Sequence, residues 1–342
     1  MQRIESRSTL SVPVEDDGRA RIFAALFLSL ALCSALLISW QPLQLSIIAL
    51  FLFAGPHNWM EFRYFLARMP ARWGRSKLFY TVGLGGVALL TAAYIALYAL
   101  GQSWYLDERA WVQSIALWNS FLILWVCWLF SLRARERVAR DGSYIWAAGF
   151  VLCAVAWLAP LIFSLGLVYL HPLIALLFFD RQLKRARPGW RRVYHACLMA
   201  LPVLLVLMWT QLAHTDPLPD ADDLSWRITQ HAGAGILAGV SSRLLVATHL
   251  FLEVVHYGVW LVLMPVAAFG ATSLWSTGRI PLATHRRRGW PVAVRAVMLL
   301  GLLVVLGLWA AFLFDYTTTR DIYFAFAMAH VLAEAPFLIR LL

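Results

Sequence analysis

The stretch V-A-T-H-L-F-L-E-V-V-H-Y-G-V-W, residues 246–260, decides how this chain is read. It is apolar on almost every side, yet it carries His249, Glu253 and His256. Spacings of four and three residues place these groups on one helix face. A helix that is otherwise apolar all round belongs in a large core or in a bilayer. Ionisable groups are costly at bilayer depth; they usually face a bundle interior and mark a working site.

Three other segments repeat the pattern. His57 and Glu61 lie in FAGPHNWMEFRYF (53–65), His171 in GLVYLHPLIALLFFD (166–180), and His330 and Glu334 in FAMAHVLAEAPFLI (326–339). In three of the four segments a histidine is followed four residues later by a glutamate, one turn along the same face. Proline accompanies three of them, at Pro56, Pro172 and Pro336. Each removes a backbone donor and frees a carbonyl close to the polar groups.

Composition sets the class. Hydrophobic residues make up 61% of 342 and charged residues 14%, and mean hydropathy is +0.70. Soluble domains carry about 25% charged residues, so the expected fold is an all-α, polytopic membrane bundle. Spans of roughly 20 apolar residues fall at about 22–40, 43–62, 78–101, 111–132, 144–160, 162–180, 193–213, 241–268, 291–314 and 322–341. This gives ten helices, a cytoplasmic tail over 1–21 and a single transmembrane domain over 22–342. The first run is read as a retained helix rather than a signal peptide. Segment 229–240 (TQHAGAGILAGV) suits an interfacial or re-entrant piece.

Charge sets the orientation. With the N-terminus inside, all Lys and Arg except Arg109, Arg227, Arg243 and Arg320 fall on the inner side. Eight acids, Asp107, Glu108, Asp216, Asp220, Asp222, Asp223, Asp315 and Asp321, fall outside. This is the positive-inside pattern. It puts both termini in the cytoplasm, in a membrane of the bacterial inner-membrane type. It also accounts for the net charge of +11 through basic loops beside anionic lipid, with no call for nucleic acid. The four polar helices then all run in the same direction, and their polar groups share a depth slightly inside the midplane.

Imidazole and carboxylate suit iron, zinc or manganese. The candidate ligands are His57, Glu61, His171, His249, Glu253, His256, His330 and Glu334, with Glu253 and Glu334 also candidates for catalytic proton handling. The cysteines Cys33, Cys127, Cys153 and Cys197 sit in apolar runs without CxxC spacing, which supports neither a disulfide framework nor a thiolate site. Asn58 and Asn119 are candidate supporting groups. Glu61 is placed to pair with Arg63 or Arg68, and Asp180 with Arg181.

The stretch Gly55–Glu61, G-P-H-N-W-M-E, resembles the proline–histidine–three–acid motif of the Brp/Blh-type membrane carotene dioxygenases. The resemblance implies a multi-helix protein with histidine-held non-haem iron and a lipophilic substrate. It covers one helix and carries over only His57 and Glu61. Asn58 and Trp59 stand where that family has small residues, and Glu61 stands for its Asp.

The expected function is an integral-membrane metalloprotein with an intramembrane His/Glu cluster. Its transition metal is iron ahead of zinc or manganese, in an oxygenase or hydroxylase acting on a lipophilic substrate. Its partners are membrane lipids and an electron-donor protein. The alternatives are a proton-coupled transporter using the same groups, a haem-b electron carrier, and a structural or assembly protein.

Overall fold

The computed structural model describes residues 15–102, 106–136, 143–219, 221–269, 278, 280–284 and 289–341. Most of the N-terminal tail and the Arg286–Arg288 run lie outside the described residues. Every regular element among the described residues is helical. The long helices are α1 (Glu15–Trp40), α2 (Pro42–Arg68), α3 (Lys77–Gln102), α4 (Glu108–Glu136), α5 (Tyr144–Leu158) and α6 (Pro160–Ala186). Then come α7 (Trp190–Leu198), α8 (Ala200–Leu212), α9 (Asp223–His231), α10 (Ser242–Gly258), the short α11 (Pro281–Thr284), α12 (Pro291–Phe314) and α13 (Tyr316–Leu341).

Among the described residues, eight helical stretches are long and apolar enough to cross a membrane: Gly18–Trp40, Gly74–Gly101, Glu108–Glu136, Pro160–Ala186, Trp190–Leu212, Ser242–Ala267, Pro291–Phe314 and Tyr316–Leu341. The protein is therefore a helical membrane bundle. Two segments read as spans fall outside the eight. α2 is 27 residues long but carries the polar run 55–61, and α5 is 15 residues long.

Helix ends follow local chemistry. Pro160 opens α6 directly after Ala159, where its missing N–H costs nothing. Met199 separates α7 from α8 because Pro202 cannot donate to the turn before it. α13 begins at Tyr316 rather than near 322, because the Asp315 carboxylate accepts from the Thr318 N–H at 3.0 Å and caps the helix. α9 begins in the same way, with Asp222 accepting from the Ser225 N–H at 2.7 Å, and that bond holds the Asp222 carboxyl below the usual range. Segment 229–240 is thus the end of α9 followed by turns. Gly233 there has φ +97°, and a Cβ would stand 2.7 Å from Leu165, so glycine is required twice over.

Burial orders the bundle. The window in Ser242–Ala267 is 67% buried, against 11% for Gly74–Gly101 and 17% for Pro291–Phe314, so α10 is central. It packs on α1, α2 and α6, and α13 packs on α2, α3, α4 and α6. The four helices bearing the His/Glu segments are therefore linked neighbours, through α10 and α13. α12 leaves Val292, Leu299, Leu300 and Val304 exposed, as lipid-facing surface requires. The two ends differ in charge. At the basic end Arg340 bonds Ser76 and Glu136 at 2.8 Å each. At the acidic end Arg227 pairs with Asp223 and Asp321.

Candidate metal centre

Six of the eight sequence candidates meet inside the bundle. Ligand atoms of His57, Glu61, His256 and His330 lie within 4.8 Å of one another, and so do those of His171, His256 and Glu334. His256 belongs to both groups. Glu61 and Glu334 are 0% exposed, and His57 and His256 are 2% exposed. Five of the six imidazole pairs have centroids 4.8–6.5 Å apart: 5.3 Å for His57–His256 and His57–His330, 4.8 Å for His171–His256, 5.3 Å for His171–His330 and 6.5 Å for His256–His330.

Hydrogen bonds orient three of the rings. The His57 Nδ1–H donates to the Phe53 carbonyl at 2.9 Å, in the turn before Pro56. The His256 Nδ1–H donates, more loosely, to the Pro172 carbonyl at 3.4 Å, so α6 orients a ring on α10. His171 Nδ1 meets Glu334 Oε2 at 2.9 Å. A carbonyl or carboxylate oxygen accepts only, so in neutral rings each contact fixes the proton on Nδ1 and leaves Nε2 with its lone pair. Metal-binding histidines are commonly held in this way, through the other ring nitrogen.

Within the cluster, six of the buried atoms without hydrogen-bond partners lie together: both Glu61 oxygens, Glu334 Oε1, His256 Nε2 and both His330 nitrogens. Each such group costs about 1–3 kcal/mol when left unsatisfied, and native interiors seldom tolerate several together. They satisfy the chemistry of a cation site: unpartnered atoms of two imidazoles and two carboxylates lie in the two groups that share His256, beside the rings of His57 and His171. A first-row ion with bonds of about 2.0–2.2 Å separates its ligands by at most about 4.4 Å. The spacing of up to 4.8 Å within each of the two groups is a small side-chain rotation from that.

His249 and Glu253 sit apart from these groups. His249 Nδ1 and Glu253 Oε2 are 3.7 Å from each other, one to two turns toward the acidic end from His256. Their neighbour is His231 on α9, whose ring centroid is 5.1 Å from that of His249. His231 lies at a helix end and has no sequence signal that singles it out. Tyr257 was also missed. Its ring lies 4.5 Å from that of His57, and its only signal was adjacency to His256.

The neighbouring polar groups take other partners than expected. Both Glu61 oxygens are without hydrogen bonds, while Arg68 bonds Gln182 and stacks over Tyr64 at 4.9 Å. Asp180 pairs across the α6–α7 turn, accepting two bonds from Arg191 at 2.7 and 2.9 Å and contacting His195 at 2.7 Å. Asn58 donates to Tyr323 at 3.2 Å, tying α2 to α13 beside the cluster. Asn119 donates to Ser164 at 3.0 Å, tying α4 to α6.

The fold and the cluster define a polytopic helical membrane protein with a buried His/Glu centre. No family model, curated protein or solved structure matches the chain.

Proposed function

We propose that the chain is an integral-membrane metalloprotein whose six clustered residues hold one transition-metal ion. The observation that carries this reading is the convergence of orphaned buried lone pairs on His256, His330, Glu61 and Glu334. Charge supports a single divalent ion, since two ionised carboxylates among neutral imidazoles leave a net charge of −2. Buried like charges of that kind call for a counter-ion.

The donor set favours iron over zinc or manganese. It has nitrogen and oxygen donors and no thiolate, and six donors exceed the four a structural zinc takes. Iron held there supplies oxygen and redox chemistry, which makes the protein an oxygenase- or hydroxylase-type oxidoreductase acting on a lipophilic substrate, with electrons from a partner protein. The motif resemblance at Pro56–Glu61 points the same way. The residues' own tasks are distinct. Phe53, Pro172 and Glu334 orient rings, Glu61 and Glu334 balance charge, and the apolar helices exclude bulk water. Interspersed carboxylates support an ion rather than a haem, because two axial histidines on a porphyrin need none.

The membrane reading extends to ten crossings, with α2 and α5 added to the eight, and to both termini at the basic, cytoplasmic side of an inner-type membrane. Polar groups that continue from the cluster through Glu253 and His249 favour proton-coupled transport as the second reading. Proton-driven flux in proteoliposomes, abolished by Glu253→Gln, would establish it in place of the first.

Elemental analysis of protein purified in detergent, with an absorption spectrum of the same sample, tests the proposal. About one equivalent of iron, zinc or manganese is expected. A folded, colourless, metal-free protein would make transport the leading reading, and a haem spectrum would replace both.

A further inference from the structure

A second polar site lies between the cluster and the acidic end. Ser46 on α2, His231 on α9, His249 and Glu253 on α10, and Arg320 and Phe324 on α13 line a cavity of about 10 Å³. That is near the smallest space that holds one water. A dry cavity would be apolar; this one is rimmed by a hydroxyl, two imidazoles, a carboxylate and a guanidinium, and a water needs two to four such partners.

These groups are poorly served by protein alone. Arg320 is 6% exposed, and its hydrogen bonds are long: 3.3 Å to Asp321 and 3.4 Å to the Arg227 carbonyl. Its guanidinium lies over Phe324 at 4.8 Å. The His249–Glu253 contact of 3.7 Å is beyond hydrogen-bond length. The site does not repeat the metal centre, since the ion-spaced His/Glu groups among the described residues exclude His231, His249 and Glu253.

The cavity adjoins a chain of paired charges that leads to the acidic end. Exposed Asp223 pairs with Arg227, Arg227 with Asp321, and Asp321 with Arg320, and Arg320 lines the cavity. On the inner side Glu253 lies on α10 about one turn before His256 of the cluster. Polar groups this numerous inside an apolar bundle mark a working site rather than packing.

We propose that this cavity is a water port. It holds a water that exchanges with the aqueous phase at the acidic end, and it supplies the six-residue cluster from that side, with Glu253 as its innermost polar group. The port rests on the reading that the cluster is the working centre, and not on which ion the cluster holds.

X-ray hydroxyl-radical footprinting of the purified full chain tests it, because side chains beside internal water are oxidised despite burial. His249 is 7% exposed, and it is expected to be oxidised several-fold faster than Phe179, which is fully buried away from the cavity. Ser46→Val, which fills the cavity, is expected to bring His249 toward the Phe179 rate. Wild-type His249 at the Phe179 rate would overturn the port even if that variant fails to fold. Glu253→Gln is expected to keep the wild-type metal content; metal lost there would make Glu253 a ligand and overturn the port. A wild type without metal would sink the proposed function, and the footprint would still decide the port.

Discussion

His256→Ala is expected to abolish stoichiometric metal binding. His256 is the residue common to both ion-spaced groups, it is 2% exposed, and its Nε2 has no hydrogen-bond partner. Losing a supporting residue outside the ligand shell costs about 10–100-fold in metal affinity, so loss of a shared ligand should cost about 100-fold or more. His249→Ala is the matched comparison: same helix, same side-chain chemistry, 7% exposed, but outside both groups. It is expected to keep metal at wild-type stoichiometry. Isothermal titration of metal-stripped protein with iron(II) or zinc measures both. Equal loss in the two variants would mean that α10 matters only for folding, and equal retention would remove His256 from the site.

Glu61→Gln is expected to change stability in opposite directions with and without metal. Both Glu61 oxygens are buried and take no hydrogen bond from the protein. Removing a carboxylate that has no counter-ion should leave the fold as stable as wild type, or more so. With metal, the wild type gains stability by mass action, about 2.7 kcal/mol when free metal is 100 times its dissociation constant. The glutamine variant loses one of two balancing charges and should gain little at the same metal concentration. Thermal midpoints of both proteins, with and without metal, give the four values required. If metal stabilises the variant as much as wild type, Glu61 is a packing residue.

The sequence made the class and the centre's raw materials legible, and spacing explains where it stopped. Residues four apart on a helix are separated by about 6 Å along the axis, which suits His57 with Glu61 in one group, while His330 and Glu334, equally spaced, fall in different groups. His249 and His256 are seven apart, about 10.5 Å along the axis, too far to share one small ion, although they lie on one face. The structure divides the H-x3-E-x2-H run accordingly: His256 joins the cluster, and His249 and Glu253 turn to His231 and Arg320. His171 had no local partner to betray its role. Its bond to Glu334 spans 163 positions and exists only once α6 and α13 pack. The early start of α13 was hidden by Thr317–Thr319 and Arg320, which read as loop until the Asp315 cap is seen.

The central claim is that nitrogen and oxygen atoms of this histidine and glutamate cluster hold a transition metal. X-ray absorption at the metal edge of the purified wild type tests it most directly. The account predicts a first shell of nitrogen and oxygen with imidazole among the donors and no sulfur, an imidazole signal that His256→Ala removes. A sulfur-containing shell, a porphyrin signature, or no bound metal in the folded protein would contradict it.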